Sequence, residues 1–152
     1  MIESWKNIPS KLIIVGKGQE KNSLNQLISN YGLEEKITIV DEVSQKELIK
    51  YYQRASMLIV SSRNEGGPRV ALEALYLKIP VISTNVGHMT EILPRELLAE
   101  PDDLITLTDL VERYVGNTDY KQDSIFEYVA EEFSLSIKAS QTLDIYKESL
   151  IS

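Results

Sequence analysis

The chain has 152 residues, enough for one domain with a sizeable core, and its 43 % hydrophobic and 26 % charged content excludes a disordered class. It contains no Cys, and His88 is its single histidine, so disulfides, cysteine nucleophiles and a histidine-rich zinc site are excluded. Sixteen basic against 23 acidic residues give a formal charge of −7, which disfavours nucleic acid as a partner.

In chain order, Lys11 to Val15 is a β-branched run ending at Gly16, and residues 20–31 carry Leu24, Leu27 and Ile28 at helical spacing before Gly32. Lys36 to Val40 repeats the strand signal. Ser44 with Glu47 three residues on forms a capping box that opens a helix to about Arg54. Met57 to Ser61 is a third strand, and Pro68 is expected as the first residue of a third helix running to Leu77. Pro80 to Ser83 is a fourth strand and Leu97 to Ala99 a short fifth, with helical stretches at 102–115, 120–132 and 135–150, the last capped by Ser134. Strands apolar on both faces that alternate with helices predict an α/β three-layer, Rossmann-like domain around a parallel sheet of five or six strands. Ligands of such sheets bind at the carboxyl ends of the strands. The apolar runs are far shorter than the ~20 residues of a membrane helix, and Met1 to Ser10 lacks a signal-peptide core, so a cytoplasmic chain is expected.

Residues 61–75 join the third strand to the third helix and therefore lie at the binding edge. Gly66 and Gly67 permit close backbone approach, and the free amides at the helix start suit a diphosphate. Glu65 and Glu73 flank this cradle, where carboxylates accept hydrogen bonds from hydroxyl groups. A ligand with hydroxyls on both sides of a diphosphate fits, and a nucleotide sugar has that form.

Glu65, seven residues, then Glu73, with Ala74, Leu75, the segment Ile79 to Gly87, and Glu91 and Ile92, resembles the donor-binding motif of retaining glycosyltransferases with the B-type double-Rossmann fold, of the glycosyl transferases group 1 type. The resemblance extends back through Ile14 to Gly18, Leu33 to Val43 and Tyr52 to Ala55, covering nearly the whole chain. It implies that Glu65 contacts the hydroxyls of the donor sugar and Glu73 the ribose. Backbone amides among Gly66, Gly67, Arg69 and Val70 would hold the diphosphate. Gly16, Lys17, Gly18, Glu42 and Val43 would lie beside the base, and His88 would face the donor. The implied substrate is a nucleoside-diphosphate sugar, UDP-linked, and the acceptor a glycan or lipid-linked molecule bound by another domain. No cofactor or metal is called for.

Relatives begin this domain with a further β-α unit carrying a Gly-Arg pair and a Lys, and precede it with an acceptor-binding domain. The chain corresponds to the part after both, read as one domain over 1–152, so it is expected to be inactive alone. Peripheral attachment to the inner membrane face would depend on the other half. Lys78 stands where relatives carry Gly, Tyr76 where they carry a small residue, and His88 where they carry the second Gly of a pair. Gly16-Lys17-Gly18 lacks the third glycine of a dinucleotide fingerprint, Lys21 standing there, which argues against a dehydrogenase. Arg63 and Arg69 are either phosphate contacts or merely surface charges or a partner for Glu65. His88 has no acid or base in view that would make it a proton-transfer group. A nucleotide-sugar 2-epimerase and a non-catalytic scaffolding subunit are the alternative readings.

Overall fold

The computed structural model describes residues 1–117 and 122–133. Strand β1 (Leu12–Val15) pairs in parallel with β2 (Ile37–Val40), Leu12 opposite Ile37 and Val15 opposite Val40. Strand β4 (Val81–Thr84) lies between β3 (Leu58–Val60) and β5 (Leu98–Ala99), also in parallel, with Leu58 opposite Val81 and Ser83 opposite Leu98. The helices are α1 (Lys21–Asn30), α2 (Gln45–Tyr52), α3 (Arg69–Tyr76), α4 (Met89–Ile92), α5 (Leu104–Tyr114) and α6 (Asp123–Glu132).

All five expected strands are present, but they do not form one continuous sheet. They fall into two ladders, β1-β2 and β3-β4-β5. The backbone pattern shows which edges are left over. Leu12 and Gly16 donate their amides to Lys36 and Val40 on the β2 side, so the amides of Ile13 and Val15 point the other way. Leu58 donates to Pro80 on the β4 side, which turns the amide of Ile59 away from β4.

Both ladders contribute to the same core. Leu12, Ile14, Ile37 and Ile39 pack in one cluster with Ile59, Ile82 and Ala99, beneath Trp5, Ile8, Ile28 of α1 and Leu107 and Val111 of α5. The opposite face is covered by Ala71, Ala74 and Leu75 of α3 with Phe126 and Val129 of α6, against Val60 and Val81. Adjacent residues Val81 and Ile82 thus serve opposite clusters, and all of β4 is buried, as a strand covered on both faces must be. The result is the expected three-layer α/β arrangement.

Local chemistry accounts for the helix ends. The capping box at α2 is formed: Ser44 Oγ accepts from the Glu47 amide at 3.3 Å and Glu47 Oε2 accepts from the Ser44 amide at 3.1 Å. The Ser44 hydroxyl also donates to Glu47 Oε2 at 2.7 Å, and this hydrogen bond first, then that from the Ser44 amide, holds the Glu47 carboxyl below its usual value. Asp103 caps α5 by accepting from the Thr106 amide at 3.0 Å. Pro68 is not the first helical residue but the N-cap of α3, in extended conformation, and the helix begins at Arg69. The start of the stretch at 120–132 and the whole of 135–150, with its Ser134 cap, lie outside the described residues.

Lys78 adopts φ +60 at the end of α3, while the Ile79 amide bonds Ala74 O at 2.8 Å and the Lys78 amide bonds Leu75 O at 3.0 Å. This is a Schellman closure with a side chain where glycine is favoured. Lys78→Gly is therefore expected to stabilise the fold by about 1 kcal/mol, raising the thermal midpoint by about 2–4 °C in a melting experiment. An unchanged or lowered midpoint would show that the left-handed residue is not strained.

Candidate functional site

The loop between β3 and α3 is fixed from two directions. Thr84, the last residue of β4, donates its hydroxyl to Ser62 O at 2.7 Å, which ties the end of β4 to the start of the loop. Ser62 in turn donates to Glu65 Oε1 at 2.8 Å and holds that exposed carboxylate. From the other side, the turn after β4 folds onto residues 65–67. Gly87 adopts φ +50, and a Cβ there would overlap Gly66 O and stand 2.6 Å from Glu65 O. Only glycine allows this approach. A Cβ on Gly67 would lie 3.4 Å from His88 Cδ2, so His88 covers the same loop.

Beyond the loop, Pro68 supplies no capping side chain to α3. The first-turn amides of Arg69 and Val70 are thus left for an acceptor from outside the helix. They sit at the positive end of the helix dipole, the arrangement that favours an anion. Glu65 precedes this helix start and Glu73 follows it by one turn. The sequence-predicted residues Glu65, Gly66, Gly67, Arg69, Val70, Glu73 and His88 are therefore brought onto two adjoining loops and one helix.

The two arginines differ. Arg63 Nε donates to Asp102 Oδ1 at 2.5 Å, so it is engaged across the loop. Arg69 Nη2 lies 3.8 Å from Glu73 Oε1 and is largely exposed, which leaves it free to swing to a phosphate. His88 does have an acid beside it: Nδ1 is 3.2 Å from Glu91 Oε1, one turn on in α4. Sequence alone does not pair the two, because His88 is the N-cap of a helix of only four residues, too short to leave a periodic signal. Both side chains are well exposed, so the contact orients the ring and adds little energy.

Gly16, Lys17 and Gly18 follow β1, and Glu42 and Val43 follow β2, each at the carboxyl end of its strand. Among the described residues, no hydrogen bond or ion pair joins these five to residues 61–73. The two parts of the site are connected instead through α2, whose last residue, Tyr52, donates its hydroxyl to Glu73 Oε2 at 3.0 Å. In the sequence Tyr52 stands only within the resemblance over Tyr52 to Ala55, with no role attached to it. Among the described residues no group of three or more His, Asp or Glu converges in a form that would hold a metal ion, and no helix is long and apolar enough to cross a membrane.

Comparison with known proteins identifies the family to which the chain belongs. An uncharacterized glycosyltransferase of Methanocaldococcus jannaschii is 28 % identical over 144 residues, covering 91 % of this chain and 37 % of its own length. The amylovoran biosynthesis glycosyltransferase AmsD of Erwinia amylovora is 37 % identical over 86 residues, 55 % of this chain and 24 % of its own. Among solved structures, a glycosyltransferase from Rickettsia africae superposes with a TM-score of 0.85 at 27 % identity, covering 98 % of this chain and 43 % of that one. The chain thus spans about a quarter to two fifths of the length of these proteins. The family described as Glycosyl transferases group 1 matches residues 1–128, which include every residue of the candidate site, and the chain belongs to that family.

Proposed function

We propose that this chain binds a nucleoside-diphosphate sugar, UDP-linked, as the donor-binding half of a retaining glycosyltransferase that passes the sugar to a glycan or lipid-linked acceptor. The observation that carries the reading is the bracing of the Glu65 loop. Gly87 packs against Glu65 and Gly66 from the turn after β4, and Thr84 holds Ser62, so a preformed loop ends at the uncapped start of α3. A diphosphate fits at that helix start, accepting hydrogen bonds from the amides of Gly67, Arg69 and Val70 and neutralised by Arg69. Glu65, oriented by Ser62, accepts from the sugar hydroxyls on one side. Glu73 accepts from the ribose hydroxyls on the other, with the base towards Gly16 to Gly18, Glu42 and Val43. His88 lies against the glycine loop and borders the sugar.

The protein's contribution to transfer is then positional and electrostatic. Donors fixed before the reaction stabilise the charge that develops on the departing diphosphate, at no reorganisation cost. Glu65 holds the sugar so that the acceptor, supplied by another domain, meets the anomeric carbon on the face the diphosphate leaves, with retention. The likeness to an enzyme of amylovoran biosynthesis supports a role in building a bacterial surface polysaccharide.

A magnetic resonance titration with UDP, GDP and their glucose derivatives tests this reading. Binding on the order of 0.1–1 mM, about −4 to −5.5 kcal/mol, is expected, with shifts confined to residues 16–18, 42–43, 65–73 and 87–88. Glu73→Ala should abolish them. Shifts at other positions that survive Glu73→Ala would overturn the assignment.

A further inference from the structure

The carboxylate of Glu73 is not free to choose its orientation. Glu73 is on α3 and its side chain is about one-third exposed, so one oxygen is available to a ligand while the other is committed inward. Oε2 accepts the hydrogen bond from Tyr52, whose ring is buried in the core cluster beside Ala71, Ala74 and Leu75. Val70 O is the only other acceptor within reach of that hydroxyl among the described residues, and at 3.4 Å it is the poorer one. A phenol has one proton to donate, so the geometry directs it to Glu73. Burial, and then the adjoining Glu73 carboxylate, push the Tyr52 phenol well above its ordinary pKa, which keeps the donor protonated throughout the working pH range. A ring locked by packing therefore fixes the rotamer of the carboxylate and leaves Oε1 pointing outward, where Arg69 now approaches it at 3.8 Å.

We infer that Tyr52 is a positioning residue for recognition of a vicinal diol, the ribose of the nucleotide in the function proposed above, on which this inference rests. Its role is to present Glu73 Oε1 to two neighbouring hydroxyls and to prevent the carboxylate from turning to close on Arg69. Tyr52 does not touch the ligand.

The experiment compares UDP with 2′,3′-dideoxy-UDP on the wild-type chain and on Tyr52→Phe and Glu73→Gln, by calorimetric or magnetic resonance titration, with thermal melting as a control for folding. Tyr52→Phe keeps the ring and its packing. It is expected to weaken UDP binding about five- to tenfold while leaving the affinity for the dideoxy nucleotide, which has no diol to recognise, unchanged. Glu73→Gln should weaken UDP at least as much, and Tyr52→Phe added to it should have no further effect. Equal loss with both nucleotides would show a general structural role and overturn the inference, as would an undiminished affinity for UDP. If Glu73→Gln leaves UDP binding intact, it is the assignment of Glu73 to the ribose that fails, which is a distinct result.

Discussion

Gln122→Leu is expected to destabilise the chain by about 3 kcal/mol, a fall of about 6–12 °C in thermal midpoint, although the substitution keeps the size of the side chain and improves its hydrophobicity. Gln122 is only 2 % exposed. Its Oε1 accepts from the Val81 amide at 3.1 Å and its Nε2 donates to Val81 O at 3.0 Å. The primary amide thus takes the place of a neighbouring strand for one residue of β4, at a position that β5, pairing only with Ser83 and Thr84, does not reach. Leu removes both partners of Val81 at once and leaves a buried N–H and a buried C=O unpaired, each costing about 1–3 kcal/mol. Denaturant unfolding measures this directly. A loss below about 1 kcal/mol would mean that water enters to replace the amide.

Gly87→Ala should act on the site more than on the fold. The φ of +50 costs alanine about 1 kcal/mol, and its methyl group would overlap the backbone oxygens of Gly66 and Glu65. Backbone cannot rotate out of the way as a side chain does, so the turn and the glycine loop must separate. That displaces Glu65 and the amides of Gly67 and Arg69, and nucleotide affinity is expected to fall more than tenfold. Gly32→Ala, which takes on a similar positive φ of +64 but meets nothing within 4 Å and lies outside the candidate site, is the control and should fall much less. Equal affinities for the two variants, measured by the same titration, would show that the apposition of the loops is not needed for binding.

Most of the architecture was legible because it depends on neighbours in sequence. Alternation of β-branched runs with helical spacing located all five strands, and the Ser44 and Glu47 capping box is formed as read. The candidate residues in 65–73 and at 87–88 were found through motif and helix-start chemistry, and the fold places them on adjoining loops. What escaped was set by partners distant in sequence. Gln122 is 41 residues from Val81 and Tyr52 is 21 from Glu73, and neither residue type at its position signals the pairing. The division of the strands into two ladders is a property of which edges meet, and no local pattern encodes that. The one-residue error at Pro68 has a simple cause: proline suits both the first helical position and the extended residue before it.

The division of the sheet has a consequence for how the chain comes apart. β1, α1 and β2 are attached to the remainder without a shared backbone ladder, chiefly through the apolar contacts of Leu12, Ile14, Ile37 and Ile39 with Ile59, Ile82 and Ala99. Cooperativity between two blocks depends on what must break together. Here the interface between them is mainly hydrophobic burial, whose strength declines on cooling, whereas the hydrogen-bonded ladders within each block do not share that dependence. The N-terminal block is therefore expected to open as a separate unit, the first to exchange its amide protons at low temperature in a hydrogen-exchange experiment, while β4 and its Gln122 clasp retain protection to the last.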